Sequence, residues 1–403
     1  MEKITRQIAE HLSAQEFVEI YAHHNVDGIA AASILCHCLH RTGGGFRVRI
    51  VSEVTSEMLR ESPQPVLCDL GSGMPDIPDH AVVIDHHVPH YTGGFHVNPR
   101  LFGLNGEKEL SASGTAYLIA QSMGDNRDLV GLALLGMLGD RQEMTGKNRE
   151  ILHEGIAHQY LSTGIGFLLP GRDPTERLAL AIDPYLEGLS GNKERCRKLS
   201  EECMIGGEVD EELLVSRVLM EVSPKGSLRT LLSIFGIRYI LGEEILPDAS
   251  TLAALVDACG KAGASSLGVA LCLRDAQAAE EAWQIMSGYR SQVIGALRTV
   301  QQLDEHQPWF QVTDTRLIGS VADALAFDLT QDKPVAVFSP AEGKVHVSLR
   351  TPEQVSCNLE SIARDIASQC GGCGGGHETR AGAILEASQI ECFKKGLRKA
   401  IPA

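Results

Sequence analysis

Three short apolar runs end in the same kind of residue, and this limits the fold more than any other feature of the chain. VEIYAHH (18–24), PVLCDLG (65–71) and HAVVIDHH (80–87) are continuous hydrophobic stretches that finish in Asp or His. Continuous rather than alternating apolar runs suit parallel strands covered on both faces. Parallel strands need crossovers, usually helical. After the first run, GIAAASILCHCLHRT carries Ile29, Ile34 and Leu35 at helical spacing, and FRVRIVSEV then alternates like a strand. Open parallel sheets take ligands at the carboxyl ends of their strands. Those ends coincide here with His23 to Asp27, with Asp69, and with Asp85 to His87. The expected class is α/β.

The pattern changes along the chain. SASGTAYLIAQSM and LVGLALLGMLGD read as two helices, the second running into Gly139-Asp140. From about 146 to 300 the sequence is rich in helix formers, with few groups suited to catalysis. The last hundred residues give strand-like runs in WFQVTDTRLIGSVADALAF, KPVAVFSPAEGKVHVSLRT and AGAILEA, and the helical IARDIASQC leads into GGCGGGH. The organisation expected is an N-terminal parallel-sheet domain over 1–190, a helical connecting region over 191–304, and a smaller C-terminal α+β domain over 305–403.

Composition narrows the function. At 43% hydrophobic and 22% charged residues, the 403-residue chain is ordinary for a globular protein. No apolar run is long enough to cross a bilayer. The opening MEKITRQIAEHLSAQEF lacks the apolar core of an export signal, so a cytoplasmic location and no membrane partner are expected. The net charge of −16 argues against coating duplex nucleic acid, which needs cationic surface. Eleven cysteines without a regular framework read as reduced thiols. Cys370-x-x-Cys373 has metal-ligand spacing but no second pair for structural zinc.

Asp27, Asp69, His86 and Asp140 come from four separate segments. Carboxylates with one imidazole suit Mn²⁺ or Mg²⁺ better than a thiolate-seeking metal. One or two such ions would polarise a phosphoryl oxygen and make water a better nucleophile. A single Asp is as easily a helix cap. Four such positions at strand and helix ends, beside the triplet Asp85-His86-His87, point to a site.

The triplet, preceded by VVI, resembles the signature of the DHH superfamily of phosphoesterases. His23-His24-Asn25-Val26-Asp27-Gly28 resembles the first motif, Asp69 in CDLGSG the second, and Gly139-Asp140-Arg141-Gln142 the fourth. VNPRLFGLNG followed by SASGTAYLIA resembles the stretch after the third motif in archaeal RecJ-like single-strand exonucleases. Gly374-Gly375-Gly376-His377 with Ala381-Gly382-Ala383, and Arg350 in VSLRT, resemble the DHH-associated domain. The resemblance implies a DHH domain followed by that smaller domain. It implies Asp27, Asp69, His86 and Asp140 as ligands of one metal, with His23 and Asn25 contributing to a second through a bridging Asp69. His87 would lie near the scissile phosphate, with Asp85 orienting the histidines. Arg350, Gly374, Gly375, Gly376 and His377 would hold substrate phosphates, the glycines by letting backbone N–H groups approach closely. Asn25 departs from the family's Asp and carries no charge to a second ion.

The function implied is a phosphodiesterase or exonuclease acting on single-stranded DNA or RNA in replication or repair. With 5% aromatics, it would track the backbone rather than stack bases. Two alternatives come with the resemblance. One is a catalytically degenerate scaffold of the replicative helicase, partnered by GINS, toward which Asn25 points. The other is a short-oligonucleotide phosphodiesterase, whose relatives carry a longer first motif.

Overall fold

The computed structural model describes residues 1–401 apart from Pro75, Gln331 and Glu353, so the last two positions of the expected C-terminal domain lie outside the described residues. The chain divides into two compact units, each discontinuous: Met1–Gly164 with Arg238–Met286, and Ile165–Ile237 with Ser287–Ala403. The stretch 191–304 is shared between them. No described helix is long and apolar enough to cross a membrane.

The first unit is built on the expected parallel sheet. Its opening elements are α1 (Glu2–Ser13), β1 (Phe17–His23), α2 (Val26–Thr42), β2 (Gly45–Val51), α3 (Ser56–Glu61), β3 (Pro65–Cys68), β4 (Val82–Ile84) and β5 (His96–Val97). The helices α4 (Ala112–Met123), α5 (Val130–Gly139) and α6 (Gly146–Ala157) follow. Strand order is β2-β1-β3-β4-β5, every pairing parallel. The runs behave as continuous apolar stretches should: β3 and β4 are buried throughout. Tyr21, Leu67 and Val83 form a cluster with Leu59 of α3. α2 is buried from Val26 to Leu39 except at His37, as expected for a helix apolar on nearly every side. It packs on the sheet and against α4 and α5. Because the strands are parallel, the residues that follow β1, β3 and β4 leave the sheet at one edge.

In the second unit a mixed sheet runs in the order 301–302, 309–311, 335–341, 344–350, 380–386, 373–376. The helices Leu359–Gln369 and Ile390–Ala400 supply its core with Leu359, Ala363, Phe393 and Leu397. Two sequence readings are corrected here. Residues 318–327, expected as strand, are helical, within an α-helix Ile318–Asp323 widening into a π-turn at Ala324–Thr330. The run GSVADALAF has small residues that let the helix pack on the strand 335–341. The glycine cluster enters the sheet: Cys373–Gly376 is an edge strand paired with Arg380–Glu386. A side chain at Gly374 would collide with the backbone of Ala363, so this glycine lets strand and helix meet. Second, the thiols are not all free: Cys370 is joined to Cys392, and the other nine cysteines among the described residues are unpaired.

The π-turn carries a buried carboxylate. Asp328 Oδ2 accepts the Tyr185 N–H at 2.9 Å and Oδ1 accepts the Thr230 hydroxyl at 2.7 Å, tying three separate segments of the unit together. Burial, with the Asp183 carboxylate adding, pushes the Asp328 carboxyl up from 3.8 to about 6. A carboxyl raised in the folded state stabilises it while protonated, so the contribution is full below 3.8 and is lost as pH rises through about 6. Asp328→Asn, which mimics the protonated form, should therefore gain stability relative to wild type between about pH 4 and pH 7. Urea unfolding across that range measures the difference, and a constant difference would contradict this account.

Candidate metal centre

Seven of the residues singled out in the sequence lie in the first unit around one point. β1 ends at His23, Asp69 follows β3, and Asp85, His86 and His87 follow β4. Asp27 stands in the first turn of α2, and Asp140 caps the C-terminus of α5. His86 Nε2 lies 3.2 Å from both Asp69 Oδ1 and Asp140 Oδ2, and 3.8 Å from Asp27 Oδ2. His23 Nδ1 is 3.4 Å from Asp69 Oδ2, and His87 Nδ1 is 3.5 Å from Asp69 Oδ1. Asp27, Asp69 and His86 offer ligand atoms close enough to share one ion, as do Asp69, Asp85 and His87. Asp69 is common to both sets.

Asp69 shows most directly what the site lacks. Both its carboxylate oxygens are buried, and no hydrogen-bond donor meets them among the described residues. The same holds for His23 Nδ1 and Asp140 Oδ2. Buried polar atoms normally have partners, so a set of such atoms facing one another fits a cation. Asp69 is also held at φ 60, which aspartate tolerates better than most side chains. Burial works against its ionisation, but the contacts from His23 and His86 outweigh this and hold the carboxyl well below its ordinary range. Asp27 goes the other way. Burial, then the charges of Asp140 and Asp69, push it up to about 7. Crowded carboxylates of opposite drift are what a divalent ion would relieve.

The surroundings fix each ligand's orientation. Asp27 sits at the N-terminus of α4, where Oδ2 accepts the Ala112 N–H at 2.7 Å and Oδ1 accepts the Ser113 N–H at 2.9 Å. Helix N-termini favour anions because their first N–H groups lack partners. His86 Nδ1 donates to the Gly106 carbonyl at 2.6 Å, leaving Nε2 toward the carboxylates. Asp85 accepts the Ser72 N–H on Oδ2 at 2.9 Å, and on Oδ1 the His86 N–H at 2.8 Å and His87 Nδ1–H at 2.8 Å. Burial opposes protonation of His87 and His86. The Asp85 charge and hydrogen bond outweigh it at His87, the Asp140 and Asp69 contacts outweigh it at His86, and both imidazoles are raised.

Asn25, the remaining position implied for a second ion, lies at the start of α2. Its Oδ1 accepts the Gly28 N–H at 2.9 Å and caps α2. Asparagine is among the best N-caps, so the sequence offered a local use for it. Arg350, Gly374, Gly375, Gly376 and His377 belong to the second unit. Arg350 Nε is 2.5 Å from Asp323 Oδ1, and Arg380 Nε reaches the same oxygen at 3.2 Å. These two arginines face each other across paired strands. His377 donates its N–H to the Arg380 carbonyl at 2.7 Å. Sequence reasoning missed Ser72, Asn98, Gly106 and Ser113, which hold the ligands and the loops around them rather than supply ligand atoms. It also missed Gly136, where any side chain would overlap Asp27 Oδ1 and Ser113 Oγ.

The C-terminal part of the chain matches a DHHA1 domain, and the fold of the whole chain is RecJ-like. The DHHA1 domain profile matches residues 307–402. An uncharacterized protein of Methanocaldococcus jannaschii is 27% identical, the match covering 98% of this chain and 96% of that protein. Among solved structures, RecJ of Thermus thermophilus in complex with Mn²⁺ is similar over 98% of this chain with a TM-score of 0.62 and 18% identity. This chain spans about half of it, 54% of its length. CDC45 of Entamoeba histolytica is similar over 99% of this chain and 98% of its own, with a TM-score of 0.63 and 12% identity.

The close packing at Gly136 is testable. Gly136→Ala should displace the Asp27 carboxylate from the α4 N-terminus and weaken Mn²⁺ binding by at least about tenfold, the scale seen when a ligand's support is lost. Titration calorimetry would show it, and an unchanged affinity would mean that the helices yield around the added methyl.

Proposed function

We propose that this protein is a divalent-metal-dependent phosphodiesterase that degrades single-stranded DNA or RNA, using Mn²⁺ or Mg²⁺. The observation that carries this reading is the buried Asp69 carboxylate, set between three imidazoles with neither oxygen hydrogen-bonded among the described residues. Asp27, Asp69, His86 and Asp140 would hold one ion, and His23 with Asp69 would contribute to a second. An ion held there supplies a Lewis acid for a phosphoryl oxygen and makes a water more acidic.

The protein's own groups do the rest. Asp85 keeps His87 cationic to higher pH than a free imidazole, so His87 can donate a hydrogen bond to a non-bridging oxygen as charge develops there. The α4 N-terminus holds Asp27 in one orientation, so little reorganisation is needed on loading. In the DHHA1 domain, Arg350 and His377 would bind backbone phosphates. The Asp323 carboxylate keeps the Arg350 guanidinium fixed in place.

A second reading is a scaffold in replication, with GINS as the kind of partner implied by the family resemblance. The observation favouring it is Asn25, whose side chain is spent on a helix cap and brings no charge to a second ion.

Incubation with 5′- and 3′-labelled single-stranded DNA and RNA in Mn²⁺ decides between the two. Metal-dependent cleavage should occur, and Asp69→Asn should reduce it by more than the roughly 10–100-fold that loss of an outer partner costs. Absence of cleavage in wild type, with activity appearing in Asn25→Asp, would support the scaffold.

A further inference from the structure

The C-terminus of α5 is closed by a turn whose geometry reaches both nitrogens of one imidazole. The Arg141 N–H bonds to the Leu138 carbonyl at 3.1 Å and the Gln142 N–H to the Met137 carbonyl at 2.9 Å. This is a Schellman-like arrangement, in which the residue after the cap takes a left-handed conformation. That residue is Arg141, at φ 55, where glycine is usual. The turn points Asp140, the cap residue, at His86 Nε2 from 3.2 Å. It also carries Gln142, two residues on, to the other side of the same ring. There Gln142 Nε2 donates to the Gly106 carbonyl at 2.8 Å, the oxygen that accepts His86 Nδ1–H at 2.6 Å.

Gln142 is itself held. Asn148 Nδ2 donates to Gln142 Oε1 at 2.8 Å, which sets the amide so that its NH₂ faces Gly106. Asn148 Nδ2 also lies 3.1 Å from the Glu143 carbonyl and 3.3 Å from the Lys108 carbonyl. Gln142 is 6% exposed and Asn148 0%. A buried, directional chain thus runs from α6 through Gln142 and Gly106 to His86. A side chain at Gly106 would overlap the His86 carbonyl, so the two backbones approach closely here.

We infer that Gln142 is a positioning residue for the metal centre: it anchors the carbonyl that orients His86, while its neighbour Asp140 in the same turn faces the ring's other nitrogen. The inference rests on reading the Asp27, Asp69, His86, Asp140 cluster as a cation site. Its physical content is that one turn sets both the ligand and the support behind the adjacent ligand, so the two cannot drift apart. Without the Gln142 donor, the Gly106 carbonyl loses one of its two hydrogen-bond donors among the described residues, and the ring gains rotational freedom about its ligand direction.

The test uses the full chain and Gln142→Met, which keeps side-chain length and removes the donor. Manganese binding is followed by the EPR signal of free Mn²⁺ at fixed pH. Affinity should fall about tenfold, the lower end of the cost of losing an outer partner. Imidazole ¹⁵N spectra of the Mg²⁺-loaded protein should show a slowly exchanging His86 Nδ1–H in wild type and a faster one in the variant. A role in packing alone would lower the metal-free melting temperature without moving either signal, and that result would overturn the inference. Wild type that binds manganese, with Gln142→Met binding it equally well, would also overturn it. Wild type that binds no manganese would instead remove the cation reading on which the inference stands. Should Gln142→Met fail to fold, Asn148→Ser removes the group that orients the amide and should weaken binding in the same direction.

Discussion

Three carboxylates gathered around one buried imidazole are the constraint to which the first unit answers. Asp27, Asp69 and Asp140 all approach His86 Nε2. Like charges removed from water repel and lose hydration together. The protein does not meet this with hydrogen-bond donors at every oxygen. It supplies donors to Asp27 from α4 and to Asp85 from the loop after β3, yet among the described residues gives neither Asp69 oxygen a hydrogen-bond donor, setting it beside three imidazoles. The result is one carboxyl pushed up to about 7 and another held far below its ordinary range. A fold optimised for stability alone would have apolar side chains here. The arrangement makes physical sense as a place for divalent charge.

The parallel sheet makes that convergence possible. β1, β3 and β4 run in the same direction, so the residues after each leave at one edge. Two helix termini of opposite kind then complete the ring. The α4 N-terminus offers N–H groups to an anion, and the α5 C-terminus carries Asp140 on a strained turn. Strain at Asp69 and Arg141, both in left-handed conformations, falls on the site itself, where surrounding bonds over-determine the backbone. In the second unit a carboxylate again sets the geometry. Asp323 orders Arg350 and Arg380, which would otherwise repel across their strands.

Much of this was legible in the chain. The apolar runs ending in Asp or His declared both the parallel sheet and the residues at its carboxyl edge, because burial on two faces leaves a continuous hydrophobic signature. Asp27, Asp69, His86, His87 and Asp140 could be named from spacing and type. The helical stretch 318–327 was harder. Its small apolar residues satisfy a buried strand as well as a buried helix, and periodicity alone does not separate the two. GGCGGGH carries a use the sequence did not reveal: at Gly374 a strand and a helix backbone approach closely.

What the sequence determined by itself was the sheet, its direction and the identity of the groups at its edge, since these follow from local pattern and residue chemistry. What only the tertiary structure decided was how those groups are held. Gly106 contributes a carbonyl, Ser113 an N–H, and Gly136 an absence of side chain. Backbone groups and missing atoms leave no chemical mark in a sequence. That Asn25 caps α2 through the Gly28 N–H is likewise visible only in the folded chain. Gln142 lies two residues beyond a recognisable ligand, yet its role depends on a carbonyl 36 positions away and on Asn148 behind it. Contacts of that kind exist only once packing has brought the segments together.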